Sequence, residues 1–231
     1  MSRLVHVLRA GKLDYQSSLQ LQKTVSASIL NDPTGPLRNV LILTEHDPVY
    51  TVGIRTKDYG AQEEQRLRAL GAQFHRTNRG GLITFHGPGQ LVAYPVLNLR
   101  NFQPSVRWYV CHIEKTAIEL CRRYGIQAGT TEDTGVWVQD RKICAIGIHA
   151  SRYVTTHGLA LNCQNDLSWF EHIVPCGIAG KGVTSLSVES GRQLGVDVVT
   201  PEFLDAFRVT LDCDLQELND DQREVLLGKG G

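Results

Sequence analysis

The sequence predicts a mixed β-sheet flanked by helices, an α/β fold held in one continuous domain. Three observations support this. The chain has 231 residues, the size of one domain with a sizeable core. Helix-period and strand-period segments are interspersed without a regular strand–helix–strand rhythm, which argues against a doubly wound parallel sheet. No internal repeat, low-complexity tract or long linker divides the chain, so the domain is expected over 1–213, followed by a polar tail, 214–231, that is assigned no element.

The first twelve residues carry Arg3, Arg9 and Lys12 and no acid. That composition fits an organelle import segment, but "RLVHVLR" also alternates like a first strand, and the strand is the preferred reading. A helix fits 14–30, with Leu19, Leu21, Val25 and Ile29 near helical spacing, and a strand fits "VLILTEH" at 40–46. A short helix over 62–70 stops at Gly71. The clearest helix runs from Ser105 to Tyr124, where Val106, Val110, Ile113, Ala117, Leu120, Cys121 and Tyr124 recur at three and four and Gly125 ends it. "GVWVQ" and "KICAIGIHA" flank Asp140–Arg141 as a hairpin, and "YVTTHGLALNC" adds a strand. A last helix is expected to open at Thr200–Pro201, a cap followed by proline at the first helical position, with Phe203, Leu204, Phe207 and Leu211 on one face.

Hydrophobic residues make up 42% and charged residues 21% of the chain, ordinary usage for a globular protein. No apolar run approaches the roughly eighteen residues that span a bilayer, so no membrane association is expected. The 24 basic and 24 acidic side chains cancel, leaving no global field to draw the protein onto nucleic acid. The six cysteines, 111, 121, 144, 163, 176 and 213, form no CxxC pair and no tight Cys/His cluster. Neither a disulfide framework nor a metal site is expected, and the reading is a reducing compartment.

Two stretches can carry chemistry. "RGGLITFHGPGQLVAYP" at 79–95 places four glycines among strand-like residues, and glycine turns let a backbone approach a ligand or hold a carbonyl oxygen. It matches neither the P-loop nor the dinucleotide fingerprint. Arg79 and His86 would be oddly placed in a purely structural turn, which favours a site. "IVPCGIAGKGVTSL" at 173–186 sets Cys176 between proline and glycine, whereas the other five cysteines lie in helix- or strand-like patterns. A thiol near pKa 8.5 is mostly protonated at neutral pH, so a nucleophile needs a cation or base beside it. Lys142 is the candidate cation, with His86, His149 and His157 as rival bases, and the residues alone do not choose among them.

Together with "HDPVYTVG" (46–53), "TGVWVQDRKICAIGIH" (134–149) and "HGLALNCQNDLSWF" (157–170), these stretches closely resemble the lipoyl(octanoyl) transferase family, in order and over most of the chain. The resemblance implies a fold similar to the catalytic domain of biotin and lipoate protein ligases. It implies an acyltransferase that moves octanoyl from octanoyl-acyl carrier protein to a lysine of lipoyl domains, those of 2-oxoacid dehydrogenase complexes and of the glycine cleavage H protein, without a cofactor. By position the reactive cysteine is Cys176 and the activating lysine Lys142. The residues that fall where the family lines its acyl pocket are Arg79, Gly80, Gly81, Leu82, Ile83, Thr84, Phe85, His86, Ala145, Ile146, Gly147, Gly158, Leu159 and Ala160. Cys144 departs from the alanine of many relatives and is expected to add a second thiol near the site. The wording of the motifs is nearest to animal mitochondrial members, implying the mitochondrial matrix. Both protein partners are acidic in the family picture, so a local basic face is expected, with Arg79, Lys142, Arg152 and Lys181 as contributors. Three rival readings stay open: an ATP-dependent ligase of the same fold, a papain-like cysteine hydrolase, and a catalytically silent acyl-binding module.

Overall fold

The computed structural model describes residues 3–55, 59–173 and 181–227. Its strands are β1 (Leu4–Lys12), β2 (Asn39–Glu45), β3 (Val49–Val52), β4 (Gln73–Arg76), β5 (Ile83–His86), β6 (Gln90–Leu97), β7 (Val136–Val138), β8 (Arg141–Ser151), β9 (Val154–Asn162), β10 (Gly182–Val183) and β11 (Asp214–Glu217). Its helices are α1 (Tyr15–Asn31), α2 (Ala61–Ala69), α3 (Val106–Arg123), α4 (Leu186–Ser190), α5 (Val196–Leu211) and α6 (Asp220–Leu227). The main sheet runs β10-β8-β9-β6-β2-β1-β11, with β7 paired to β8, and β4-β3-β5 form a small second sheet. The mixed character is explicit: β1 pairs parallel with β2 and β11, whereas β2, β6, β9 and β8 pair antiparallel in succession.

Strand alternation sorts the side chains into two cores. Val5, Val7, Leu41, Leu43, Leu91, Ala93, Leu159 and Leu161 face α3 and α5. Leu8, Val40, Ile42, Val92, Tyr94 and Ala160 face α1 through Leu21, Val25 and Ile29. A third cluster joins Tyr50, Val52, Phe74, Ile83 and Phe85 of the small sheet to Leu67 of α2 and to Phe170. "RLVHVLR" is thus a strand in the fold. Helix α1 starts where the Asp14 carboxylate accepts from Ser17 N at 3.0 Å, and α3 where Ser105 Oγ accepts from Trp108 N at 3.2 Å, satisfying amides that have no partner within a helix.

Four details differ from the sequence expectation. The last long helix opens at Val196, not Thr200: Gly195 caps it, and Pro201 lies inside it. The amide that proline lacks would reach back only to Asp197 in the first turn, and burial of Val199, Phe203, Ala206 and Phe207 carries the helix through. Val106 and Val110 continue the α3 stripe but stay partly exposed, because the start of the helix flanks an open groove rather than the sheet. The hairpin turn is Gln139–Asp140, one residue earlier than expected, with Gln139 at φ 53°. The polar segment from 214 adds β11 to the sheet edge beside β1 and then α6, with Leu218 between the two and Leu226 of α6 buried.

Candidate active site

The glycine-rich segment runs from the small sheet, through β5, into the main sheet, through β6. On β5 the period of two sends Thr84 and His86 into a cavity, while Ile83 and Phe85 face the small-sheet core. Ile83 and Phe85, expected to line the pocket, are therefore core residues. The cavity gathers Arg79, Gly81, Leu82, Thr84 and His86 with Ala145, Ile146, Gly147, Gly158, Leu159 and Ala160, and adds Tyr15, Val92, Tyr94 and His157. Gly80 sits in an adjoining outer groove with Lys142, Val106, Val110 and Arg55, and the two spaces share Gly81, Ile146 and Gly147. Tyr15, Val92 and Tyr94 carried no local signal, since each reaches the cavity from an element whose pattern reads as ordinary core.

Gly147 of β8 stands opposite Gly158 of β9. A Cβ on Gly158 would overlap the Ala93 carbonyl oxygen and come within 2.7 Å of Pro95 Cδ, so here glycine allows the backbones of β9 and β6 to meet. A Cβ on Gly147 would instead point at Arg79, 2.8 Å from its Cδ and 3.1 Å from the Gly80 carbonyl oxygen.

The polar part of the cavity is a connected, uncharged network around one arginine. Arg79, 7% exposed, donates through Nη2 to the Thr51 carbonyl (2.7 Å) and hydroxyl (2.9 Å), and through Nη1 to Gly80 O (3.0 Å). Thr51 Oγ1 meets His86 Nε2 at 3.3 Å, and His86 Nδ1 meets Gln90 Oε1 at 2.9 Å. Because Gln90 Nε2 donates to Phe85 O and Asn162 Oδ1, its Oε1 accepts, so Nδ1 carries the histidine proton and the Thr51 hydroxyl donates to Nε2. Burial, and then the neighbouring His46, push His86 down to about 3; burial and then Arg79 push His157 to about 3. His46 is lowered by burial as well; its Nδ1 donates to Leu13 O (2.7 Å), leaving Nε2 to accept from Tyr94 OH (2.8 Å). Burial raises Tyr15 to about 12. His86 and His157 are therefore neutral and weakly basic, and His149 lines a different cavity with Lys23 and Ser26. None of the three rivals suits the part of a base at neutral pH in this cavity.

Lys142 is buried, 5% exposed, at the start of β8. It lies opposite Trp137 of β7 beside a bulge, where Val136 pairs with Cys144 but Trp137 with Lys142. Its Nζ donates to Thr134 O at 3.3 Å and lies 4.6 Å from the centre of the Trp137 ring. Gly135, at φ +124°, has no side chain to strike Cys144 O or crowd the Lys142 stem. Cys176 lies outside the described residues. The chain enters that segment at Ile173, packed in the small-sheet core, and leaves it at Lys181, from which Gly182 and Val183 pair parallel with Arg141 and Lys142.

Among the remaining thiols Cys144 departs from expectation, whereas Cys121, Cys163 and Cys213 pack as their helix- and strand-like patterns suggest. Cys144 is fully buried in the main core and burial raises its pKa; Cys121, Cys163 and Cys213 are buried and raised to about 12. Cys111, by contrast, is exposed on α3. The expected basic face also changes: Arg79 and Lys142 are buried, Lys181 pairs with Asp133 at 3.1 Å, and only Arg152 is exposed. Among the described residues no group of three or more His, Cys, Asp or Glu gathers to hold a metal ion, and no helix is long and apolar enough to cross a membrane.

The profile of the lipoyl protein ligase A/B catalytic domain matches residues 14–208. The mitochondrial octanoyl-[acyl-carrier-protein]:protein N-octanoyltransferase of Danio rerio is 57% identical over 211 residues, covering 91% of this chain and 94% of that protein. The Homo sapiens protein of the same description is 46% identical over 220 residues, covering 91% and 95%. Among solved structures, a lipoate-protein ligase A bound with ATP superposes at a TM-score of 0.74 with 14% identity, over 98% of this chain and 93% of that one. At that identity the likeness speaks for the fold alone.

Proposed function

We propose that this chain, a member of the lipoyl protein ligase A/B catalytic-domain family and an acyltransferase like the octanoyltransferases it is similar to, moves octanoyl from octanoyl-acyl carrier protein to a lysine of lipoyl domains through a Cys176 thioester, assisted by Lys142. The observation that carries this reading is the cavity itself. A slot walled by Leu82, Val92, Ala145, Ile146, Leu159 and Ala160 shares the wall of Gly81, Ile146 and Gly147 with the groove that holds Lys142. Such a slot suits an unbranched acyl chain with its carbonyl at the neck.

The Cys176 thiolate attacks the donor carbonyl and the carrier leaves as a thiol, taking a proton from the Lys142 ammonium and leaving Nζ neutral, so that one thioester is exchanged for another of similar energy. The acceptor amine then attacks the acyl-enzyme, a C–N bond forms, the C–S bond breaks, and the amine's proton passes to Lys142 Nζ while the Cys176 thiolate is released. The product amide is far more stable than a thioester, so no nucleotide is needed. The relatives' names place them in mitochondria; our reading puts this chain there too, in the matrix.

Intact mass measured after incubation with octanoyl-acyl carrier protein, without ATP, tests the reading. One octanoyl adduct is expected, labile to hydroxylamine, lost in Cys176→Ser and discharged by an apo-lipoyl domain. A requirement for ATP would make the protein a ligase, and release of free octanoate without any effect of acceptor would make it a hydrolase.

A further inference from the structure

A lysine near the start of a strand ordinarily keeps its ammonium in water, where the ion is best solvated. Burying Lys142 therefore calls for groups that favour the cation, and the ring of Trp137, centred 4.6 Å from Nζ, is one. That ring is held firmly. Trp137 is 3% exposed; its backbone exchanges hydrogen bonds with Gly129 at 2.8 and 2.9 Å, and its indole N–H donates to Asp133 O at 3.0 Å. The Asp133 carboxylate takes Lys181, whose ammonium lies 4.9 Å from the centre of the same ring. Lys181 is the first described residue after the Cys176 segment. One indole thus contacts the lysine of β8 and the chain returning from Cys176.

We infer that Trp137 is a positioning residue of the transfer step, holding Lys142 Nζ against its face so that the proton leaving the acceptor amine arrives where an ammonium is already favoured. This rests on the reading of Lys142 as the group that takes that proton. The ring is a fixed charge distribution that needs no rearrangement as the cation forms. Lys181, through Asp133, braces the same ring.

The test compares Trp137→Leu, which removes the ring, Trp137→Phe, which keeps an aromatic face without the N–H, and site-specific fluorinated tryptophan at 137, which keeps the shape and weakens the ring's attraction for cations. Two readouts are taken: single-turnover octanoyl transfer to a lipoyl domain, and the rate at which trace acetic anhydride acetylates Lys142, followed by peptide mass spectrometry. With leucine, the limiting single-turnover transfer rate should fall about tenfold while the half-saturating concentration of lipoyl domain holds within about twofold, and Lys142 should acetylate several-fold faster. Phenylalanine should restore most of both, and fluorination should lower transfer in step with the number of fluorines. If fluorination and leucine leave transfer and acetylation at the parent's level, or phenylalanine is as damaging as leucine, the inference is overturned. If leucine does not fold, the fluorinated series decides alone. Should the parent form no acyl-enzyme, the mechanism fails instead, and acetylation of Lys142 still reports whether Trp137 holds it.

Discussion

Gly147→Ala tests the neck of the cavity most directly. The new methyl would stand 2.8 Å from Arg79 Cδ and 3.1 Å from Gly80 O, against an optimal carbon–carbon separation of about 3.5 Å or more. Arg79 must then retreat by about 0.7 Å, but three hydrogen bonds to Thr51 and Gly80 hold its guanidinium. The Gly80 side is no softer, because Gly80 N donates to Ile148 O at 2.9 Å on the strand that carries the methyl. Losing one charge-assisted bond, or overpacking to keep it, costs about 2 kcal/mol. For a domain of this size that lowers Tm by roughly 4–8 °C. Since Gly147 borders both the slot and the groove, the methyl narrows the entrance rather than the far end. Transfer of octanoyl and of a shorter acyl group should therefore fall together, a different outcome from the chain-length selectivity expected of a residue deep in the pocket. Thermal unfolding and transfer from octanoyl- and butyryl-carrier protein are the assays. An unchanged Tm with unchanged transfer, or a loss confined to octanoyl, would refute the reasoning.

Gly158→Ala should be far more damaging than Gly147→Ala, because its methyl meets the Ala93 backbone rather than a side chain; soluble yield and Tm report it. Lys142→Met should lower octanoyl transfer by about 10²-fold or more and raise the pH at which iodoacetamide modifies Cys176, whereas Lys142→Arg, which keeps the charge but cannot accept a proton, should still form acyl-enzyme yet discharge it slowly. In native protein, iodoacetamide should label Cys111 as the background thiol and leave Cys144 untouched; peptide mapping decides, and labelled Cys144 would contradict its burial. His86 and His157, each depressed to about 3 when folded, bind protons more readily in the unfolded chain. Their stabilisation is complete above about pH 6.5 and is lost as pH falls towards 3, roughly 2 kcal/mol for each between pH 6.5 and 5. Tm should drop over that range, and less steeply in His86→Gln; a flat profile would show that the two rings are not buried as described.

The elements that depend on neighbours along the chain were legible in the sequence. The three-and-four spacing of Ile113, Ala117, Leu120 and Cys121 marks a helix whatever it packs on, "GVWVQ" and "KICAIGIHA" mark a hairpin, and alternation in "YVTTHGLALNC" marks a further strand. The same local logic misplaced the start of α5, because burial of Val199 and Phe203 on α3 outweighed the signal of Thr200–Pro201. It also could not say that Ile83 and Phe85 point away from the cavity while Thr84 and His86 point into it, since period two names two faces but not which one meets the slot.

By itself, then, the sequence determined the interspersed helices and strands and the glycine-rich segment, readable because turn chemistry and periodicity act over a few residues, and it singled out Cys176 by its place between proline and glycine. Only the tertiary structure decided that Arg79 is a buried pin rather than a docking charge, that Cys111 is exposed while Cys144 is sealed, and that Lys142 rests on Trp137. Each of these depends on what a distant segment places opposite the side chain. Burial, and with it charge state and reactivity, belongs to the packed neighbourhood and not to the residue type.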